Sequence, residues 1–250
     1  MKITLLCENQ AGYAGAKHCL SEWGFSAFIQ HAGVSVLFDA GHTDVYLRNA
    51  EKLGIDIASI DFAVLSHHHW DHTGGLRYWD SKEIIPLYTH PDTLNKLTMD
   101  ESSHIRKQFK LYADDKPQII TNDIIFLGEI PRTNSFEPGR YKSDPMLDDS
   151  AIVIKTPKGA VLIVGCAHSG ICNICEYAKQ ISELQLYAVI GGFHLSANEP
   201  DIVLQTIEYF RKENVPHLYP MHCVDFPTLV QFHNEFGLNK YSTGDVILID

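Results

Sequence analysis

Phe62-Ala63-Val64-Leu65-Ser66-His67-His68-His69-Trp70-Asp71-His72-Thr73-Gly74-Gly75 decides how the rest of this chain reads. Its first four residues form an apolar run with the length of a buried strand. Four histidines and an aspartate follow within six residues, from His67 to His72. Imidazole and carboxylate donors together suit zinc, manganese or iron, and histidine is the commonest protein metal ligand. At the carboxyl end of a strand, the cluster stands where α/β proteins keep their chemistry. Gly74-Gly75 then lets the backbone turn tightly beneath a bound group. A low-complexity histidine tract is the competing reading. The interrupting Asp71 and the core strand ahead of the cluster argue against it. The spacing lets His67 and His69 share one ion while Asp71 and His72 turn toward a second, with His68 and Trp70 pointing away.

Working outward, the same unit of strand, histidine and helix recurs. Upstream, strands are expected at Ile3–Cys7, Ser26–Gln30 and Val34–Phe38, the last running into Asp39-Ala40-Gly41-His42. A helix is expected over Val45–Leu53, closed by Gly54. Downstream of the cluster, a helix start is expected at Gly74-Gly75-Leu76 and a strand at Pro86–Thr89. Residues 92–148 are less regular, with an amphipathic segment (Ser103–Tyr112), a strand candidate (Ile119–Leu127) and a long loop. That loop carries Arg132, Arg140 and Lys142 and reads as a lid or substrate wall. Ala151–Thr156 and Ala160–Val164 form a hairpin signal around Pro157-Lys158-Gly159. Three further strand ends follow, each with a histidine: His168 after Gly165-Cys166-Ala167, His194 after Gly191-Gly192-Phe193, and His222 after Pro220-Met221. Helices are expected over Cys172–Leu184 and Pro200–Glu213, and a final strand at Val246–Ile249. Strand ends converging on one rim are how α/β folds assemble sites, so the four histidine-bearing ends read as one ligand set. Asp39 is the candidate for fixing a ligand imidazole through its second ring nitrogen.

Composition bounds the function. The 250 residues allow one large α/β domain, read here as a single domain over 1–250. A net charge of −11 argues against nucleic acid as a partner, because phosphate contacts need a basic stripe. The longest apolar runs fall short of the roughly 20 residues of a membrane span. The opening Met1-Lys2-Ile3-Thr4-Leu5-Leu6 lacks the pattern of a secretion signal. With six cysteines, this points to reduced thiols and a cytoplasmic protein. Cys172-Asn173-Ile174-Cys175 has the spacing of a zinc or redox motif but lacks a second pair, so packing is the expectation.

The segment Ser66 to Gly75 resembles the His-x-His-x-Asp-His signature of the metallo-β-lactamase superfamily, and Leu37-Phe38-Asp39-Ala40-Gly41 resembles its preceding Asp-Thr-Gly strand end. Four further stretches resemble the branch named for 7,8-dihydropterin-6-methyl-4-(β-D-ribofuranosyl)aminobenzene-5′-phosphate synthase. They are Glu22-Trp23-Gly24-Phe25-Ser26, Gly165-Cys166-Ala167-His168-Ser169-Gly170-Ile171, Ala188 to Leu195 and Pro220-Met221-His222-Cys223. The resemblance implies an α/β fold, an αββα sandwich, with one or two divalent ions. Zinc stands first, with manganese, iron or magnesium as alternatives. It carries His67, His69, Asp71, His72, His168 and His222 over as ligands. Where the family usually has Gly-Asp, this chain has Gly165-Cys166, so Cys166, His168 or Asp149 is left to supply the second ion's missing donor.

Three functions follow as expectations. The first is a hydrolase in which a metal-generated hydroxide attacks a phosphorylated small molecule. Asp71 and His194 manage protons there, and Arg132, Arg140, Lys142 and Phe193 hold substrate. The second is a pterin-related synthase, with Trp70, Phe193 and Tyr219 available for stacking. The third is a non-catalytic metal-binding module. Oligomeric state is not encoded in any of these patterns.

Overall fold

A computed structural model describes residues 1–12 and 18–250 of the chain. In chain order the elements are β1 (Lys2–Cys7), β2 (Ser26–His31), β3 (Val34–Phe38), α1 (Val45–Leu53), β4 (Phe62–Val64), α2 (Trp70–Thr73), β5 (Ile85–Thr89), α3 (Pro91–Lys96), α4 (Met99–Gln108) and β6 (Phe109–Ala113). Then come β7 (Gln118–Ile119), β8 (Ile124–Phe126), β9 (Ala151–Thr156), β10 (Gly159–Val164), α5 (Ile171–Ser182), β11 (Leu186–Gly192), α6 (Pro200–Glu213), β12 (His217–Met221), α7 (Phe226–Phe236) and β13 (Val246–Leu248). Contacts divide the chain into two compact units, Met1–Ala113 with Tyr241–Asp250, and Asp114–Lys240.

The first unit holds a seven-stranded sheet in the order β13-β1-β2-β3-β4-β5-β6. Strands β3, β4, β5 and β6 pair in parallel, so the carboxyl ends of β3 and β4 lie side by side. α1 forms where expected because Val45, Tyr46 and Ala50 recur on one face and are buried. Gly54 ends it in the left-handed conformation, φ 72°, donating its N–H to the carbonyls of Ala50 and Glu51. Leu37, Ala63, Leu65, Leu76, Trp79 and Leu87 belong to the same core. The expected helix start at Gly74 is corrected. The chain turns helical at Trp70, inside the cluster, and continues as a 3₁₀ turn over Gly74–Tyr78. A Cβ on Gly75 would meet the Ala40 carbonyl oxygen at 2.0 Å, so this turn packs too closely for any side chain there.

The second unit holds a six-stranded sheet in the order β12-β11-β10-β9-β8-β7. β10 is buried at every position, as a central strand covered on both faces requires. It pairs antiparallel with β9 and parallel with β11, which pairs parallel with β12. The carboxyl ends of β10, β11 and β12 therefore stand in a row. α5, α6 and α7 contribute Ile171, Cys172, Ile174, Cys175, Val203, Phe210 and Phe232 to its core.

Residues 92–148 hold more structure than their sequence pattern suggests. Ser103–Tyr112 splits into the end of α4 and the strand β6, and Ile119–Leu127 resolves into the β7–β8 hairpin. α4 opens with a Thr98–Glu101 capping box. α7 went unread in the sequence although Asp225 caps it, accepting the Thr228 N–H. Among the described residues, no helix is long and apolar enough to cross a membrane.

Candidate metal centre

In the first unit, the ends of β3 and β4 build one donor group. Asp39 adopts the left-handed conformation, φ 54°, just beyond β3, and its N–H donates to the Val64 carbonyl at 2.9 Å. That kink turns its carboxylate toward the end of β4. Asp39 Oδ1 accepts the Ser66 N–H at 2.8 Å, while Oδ2 accepts the Ser66 hydroxyl at 2.7 Å and lies 2.7 Å from His72 Nδ1. A carboxylate is an acceptor only, so His72 carries its proton on Nδ1 and turns the Nε2 lone pair outward. Ser66 has one hydroxyl proton, given to Asp39, so at 2.9 Å it accepts from His67 Nδ1. His67 therefore also presents Nε2 as a lone pair. All these groups are buried.

The other cluster members gather around this pair. The His67 ring centroid lies 4.2 Å from that of His72 and 4.7 Å from that of His69. His72 Nε2 and Asp71 Oδ2 are 3.9 Å apart, too far for a hydrogen bond and near the separation of two donors on one ion. Trp70 points to solvent, 52% exposed, against the His42 ring at 4.5 Å. Asp39, expected to fix an imidazole through its second ring nitrogen, is hydrogen-bonded to that of His72.

In the second unit, the aligned ends of β10, β11 and β12 build another group. Ala167, His194 and His222 each have positive φ, 55°, 48° and 56°, just after their strands. Such backbone is uncommon outside glycine and clusters at functional sites. It bends the chain sharply at each strand end. His168 and His194 have ring centroids 4.3 Å apart, with Tyr141 packed against them at 5.2 and 5.8 Å. Burial alone would lower the His194 pKa, but the hydrogen bond and charge of Cys223, with the Asp149 and Glu199 carboxylates, raise it. Burial would raise the Cys223 thiol. Hydrogen bonds with Cys166 and His194, and the charges of His194 and His222, hold it well below the usual thiol range instead.

Asp149 is buried beside this group. Its Oδ2 accepts the Ser169 N–H at 2.8 Å, and burial pushes its pKa up to about 6. Among the described residues, neither Asp149 Oδ1 nor His194 Nδ1 has a hydrogen-bond partner, although both are buried. Orphaned buried polar atoms, imidazoles aligned by carboxylate and hydroxyl, and a mixed nitrogen, oxygen and sulfur donor set all fit divalent ions.

The expected substrate residues separate in the structure. Arg132 is committed to its own loop. Its guanidinium donates to the carbonyls of Ile130, Gly139, Pro145 and Met146, bracing the loop that carries it. Phe193 is 1% exposed and stacked on Phe210 at 5.6 Å, so its ring is core. Arg140 is exposed and lines a cleft of the second unit with His168, His194 and Glu199. Lys142 lies over the Tyr141 ring, 5.0 Å from its centroid. Cys172 and Cys175 are core residues whose thiols burial pushes up, as packing cysteines should be. None of the six cysteines is in a disulfide.

Two residues of the second unit escaped the sequence reading. Tyr141 carried no pattern of its own. Glu137, buried, accepts the Cys172 and Asn173 N–H groups at 2.8 and 2.9 Å and so caps α5 from outside the helix. No local spacing announces a cap supplied 35 residues upstream.

Comparison with known proteins agrees with this geometry. Residues 24–193 match the family model of the metallo-β-lactamase superfamily. Uncharacterized protein MJ0448 of Methanocaldococcus jannaschii is 32% identical, covering 98% of this chain and 97% of that protein. The 7,8-dihydropterin-6-methyl-4-(β-D-ribofuranosyl)-aminobenzene-5′-phosphate synthase of the same organism is 32% identical, covering 94% of this chain and 92% of the synthase. Among solved structures, Tm1679, described as a metal-dependent hydrolase of the β-lactamase superfamily, matches with a TM-score of 0.82 at 26% identity over 100% of this chain and 99% of its own. The chain belongs to the metallo-β-lactamase superfamily, has its α/β fold, and within it is similar to the dihydropterin-ribofuranosylaminobenzene phosphate synthase branch.

Proposed function

We propose that this protein is a metal-dependent hydrolase acting on a phosphorylated small molecule, with His67, His69, Asp71, His72, His168 and His222 as its metal ligands. The observation that carries the reading is the Asp39–Ser66–His67–His72 network, which fixes two imidazoles with their Nε2 lone pairs outward. A buried carboxylate fixing imidazole tautomers is the usual support of a ligand histidine and is not needed for packing alone. When bound, zinc, manganese, iron or magnesium would supply Lewis acidity toward a phosphoryl oxygen and acidify water toward about pH 7.

The chain's own residues do the rest. Asp71, buried beside His72, and His194, with its raised pKa, are the groups proposed to hold and move protons. Arg140, in the cleft with His168 and His194, is the proposed anchor for the phosphate, helped by Lys142 on the same loop. A pterin-related synthase reaction is the second reading, favoured by the 32% identity to the named synthase across 94% of this chain.

The test is metal analysis of the purified protein with a screen of phosphomonoesters, phosphodiesters and a dihydropterin with an arylamine ribosyl phosphate. Metal-dependent phosphoester turnover, lost in His69→Ala together with part of the bound metal, is expected. Condensation of the pterin without hydrolysis would favour the synthase. Full metal retention with no turnover on any substrate would overturn both.

A further inference from the structure

The second unit contains two thiols that the proposed function leaves idle. Cys166 follows β10 and Cys223 follows β12, with β11 between them in the sheet and His194 just beyond its end. The sulfurs of Cys166 and Cys223 and one imidazole nitrogen of His194 lie within 4.8 Å of one another. Cys166 is buried, while His194 and Cys223 are half-buried.

The backbone is shaped around these sulfurs. A Cβ on Gly192 would sit 2.6 Å from Cys223 Sγ, 2.5 Å from the Gly165 carbonyl oxygen and 3.3 Å from Cys166 Cα. Only a glycine at the end of β11 leaves room for the Cys223 sulfur between the neighbouring strand ends. The His194 N–H donates to Cys223 Sγ at 3.2 Å, which orients the sulfur and favours its thiolate. Cys223 Sγ in turn lies 3.4 Å from the Cys166 carbonyl oxygen, which holds the sulfur beside the end of β10.

We propose that Cys166, His194 and Cys223 form a thiolate-bearing metal position of the Asp114–Lys240 unit, selective for zinc or another thiophilic divalent ion. It goes beyond the hydrolase reading, whose six ligands include no sulfur. Two thiolates and an imidazole are soft to borderline donors that discriminate against magnesium and manganese. Zinc–sulfur bonds of about 2.3 Å and zinc–nitrogen bonds of about 2.0–2.1 Å bring tetrahedral donors within about 3.8 Å of each other, a modest contraction of the present cluster. Binding displaces the thiol protons to solvent, leaving both sulfurs as thiolates. Ligation through one His194 nitrogen leaves the other carrying the proton.

The test uses the whole protein, stripped of metal under a thiol-free reductant and titrated with cobalt(II) as the probe. A sulfur-to-cobalt charge-transfer band in the near ultraviolet is expected, weakened in Cys166→Ser and in Cys223→Ser and lost in the double variant. The same band should persist in Cys172→Ala and Cys175→Ala, whose thiols lie in the core. Should the double variant fail to fold, X-ray absorption on the zinc-loaded wild type decides, with two sulfur neighbours per thiolate-site zinc expected. No charge-transfer band at saturating cobalt, a band that survives in the folded double variant, or zinc surrounded only by nitrogen and oxygen overturns the proposal. Total metal content and phosphoester turnover of His69→Ala report separately on the hydrolase reading, because that residue supplies nothing to the sulfur signal.

Discussion

Replacing Asp39 tests the architecture of the first donor group most directly. In Asp39→Ala, the Ser66 N–H, the Ser66 hydroxyl and His72 Nδ1 lose their acceptor in a fully buried setting. A buried donor left without a partner costs about 1–3 kcal/mol. Three neighbouring donors relax together rather than adding, which brings the expected loss to about 3–5 kcal/mol, the range for breaking a buried charged pair. For a chain of this size, about 2–4 °C per kcal/mol converts that into a melting temperature lowered by roughly 6–20 °C. Asp39→Asn separates stability from ligation. Asparagine tolerates the left-handed backbone at this position, and its amide oxygen can still accept one hydrogen bond. With an amide in place of the carboxylate, however, the His72 tautomer is no longer imposed. The expected result is a chelator-treated protein of nearly wild-type stability, with metal affinity down about 10–100-fold. Thermal unfolding with chelator and competition titration with a chromophoric chelator measure the two quantities. An Asp39→Asn protein with unchanged metal affinity, or an Asp39→Ala protein with an unchanged melting temperature, would refute the argument.

Other outcomes follow from the same geometry. Asp149 has a folded pKa near 6, above its unfolded value, so the stability of its protonated form is lost as pH rises through about 6. The metal-free wild type should lose about 2 kcal/mol more than Asp149→Asn between pH 4 and pH 7, measured by urea unfolding. Gly75→Ala forces a Cβ onto the Ala40 carbonyl and should destabilise the first unit by at least about 1–3 kcal/mol, visible in thermal unfolding. Arg132→Ala should raise protease cleavage within residues 130–146, because four carbonyls lose their donor. Arg140→Ala should leave stability within about 0.5 kcal/mol and instead raise the KM for a phosphorylated substrate.

The elements whose residues repeat at a regular period were legible before the fold was known. Val45–Leu53 and Pro200–Glu213 form helices with the expected bounds, and β9 and β10 form the expected hairpin. α7 and β6 were missed because a half-buried amphipathic stretch next to a loop leaves periodicity ambiguous between helix, strand and coil. The sheet order was beyond reach, since pairing between β10 and β11 joins strands separated by a whole helix.

By itself, the sequence placed His67, His69, Asp71 and His72, side chains of metal-ligand type, together at a strand end. Their donor chemistry and spacing are local properties that survive any packing. It also marked Asp39, because an acceptor one strand away has few other uses. Only the tertiary structure decided which imidazole Asp39 holds and that Ser66 sets the tautomer of His67. Only tertiary structure, too, tied Arg132 to backbone carbonyls and set Cys166 and Cys223 around Gly192. Those outcomes depend on hydrogen-bond partners and close approaches between segments distant in the chain. A one-dimensional pattern states which groups are present, and the fold alone states which of them are already committed.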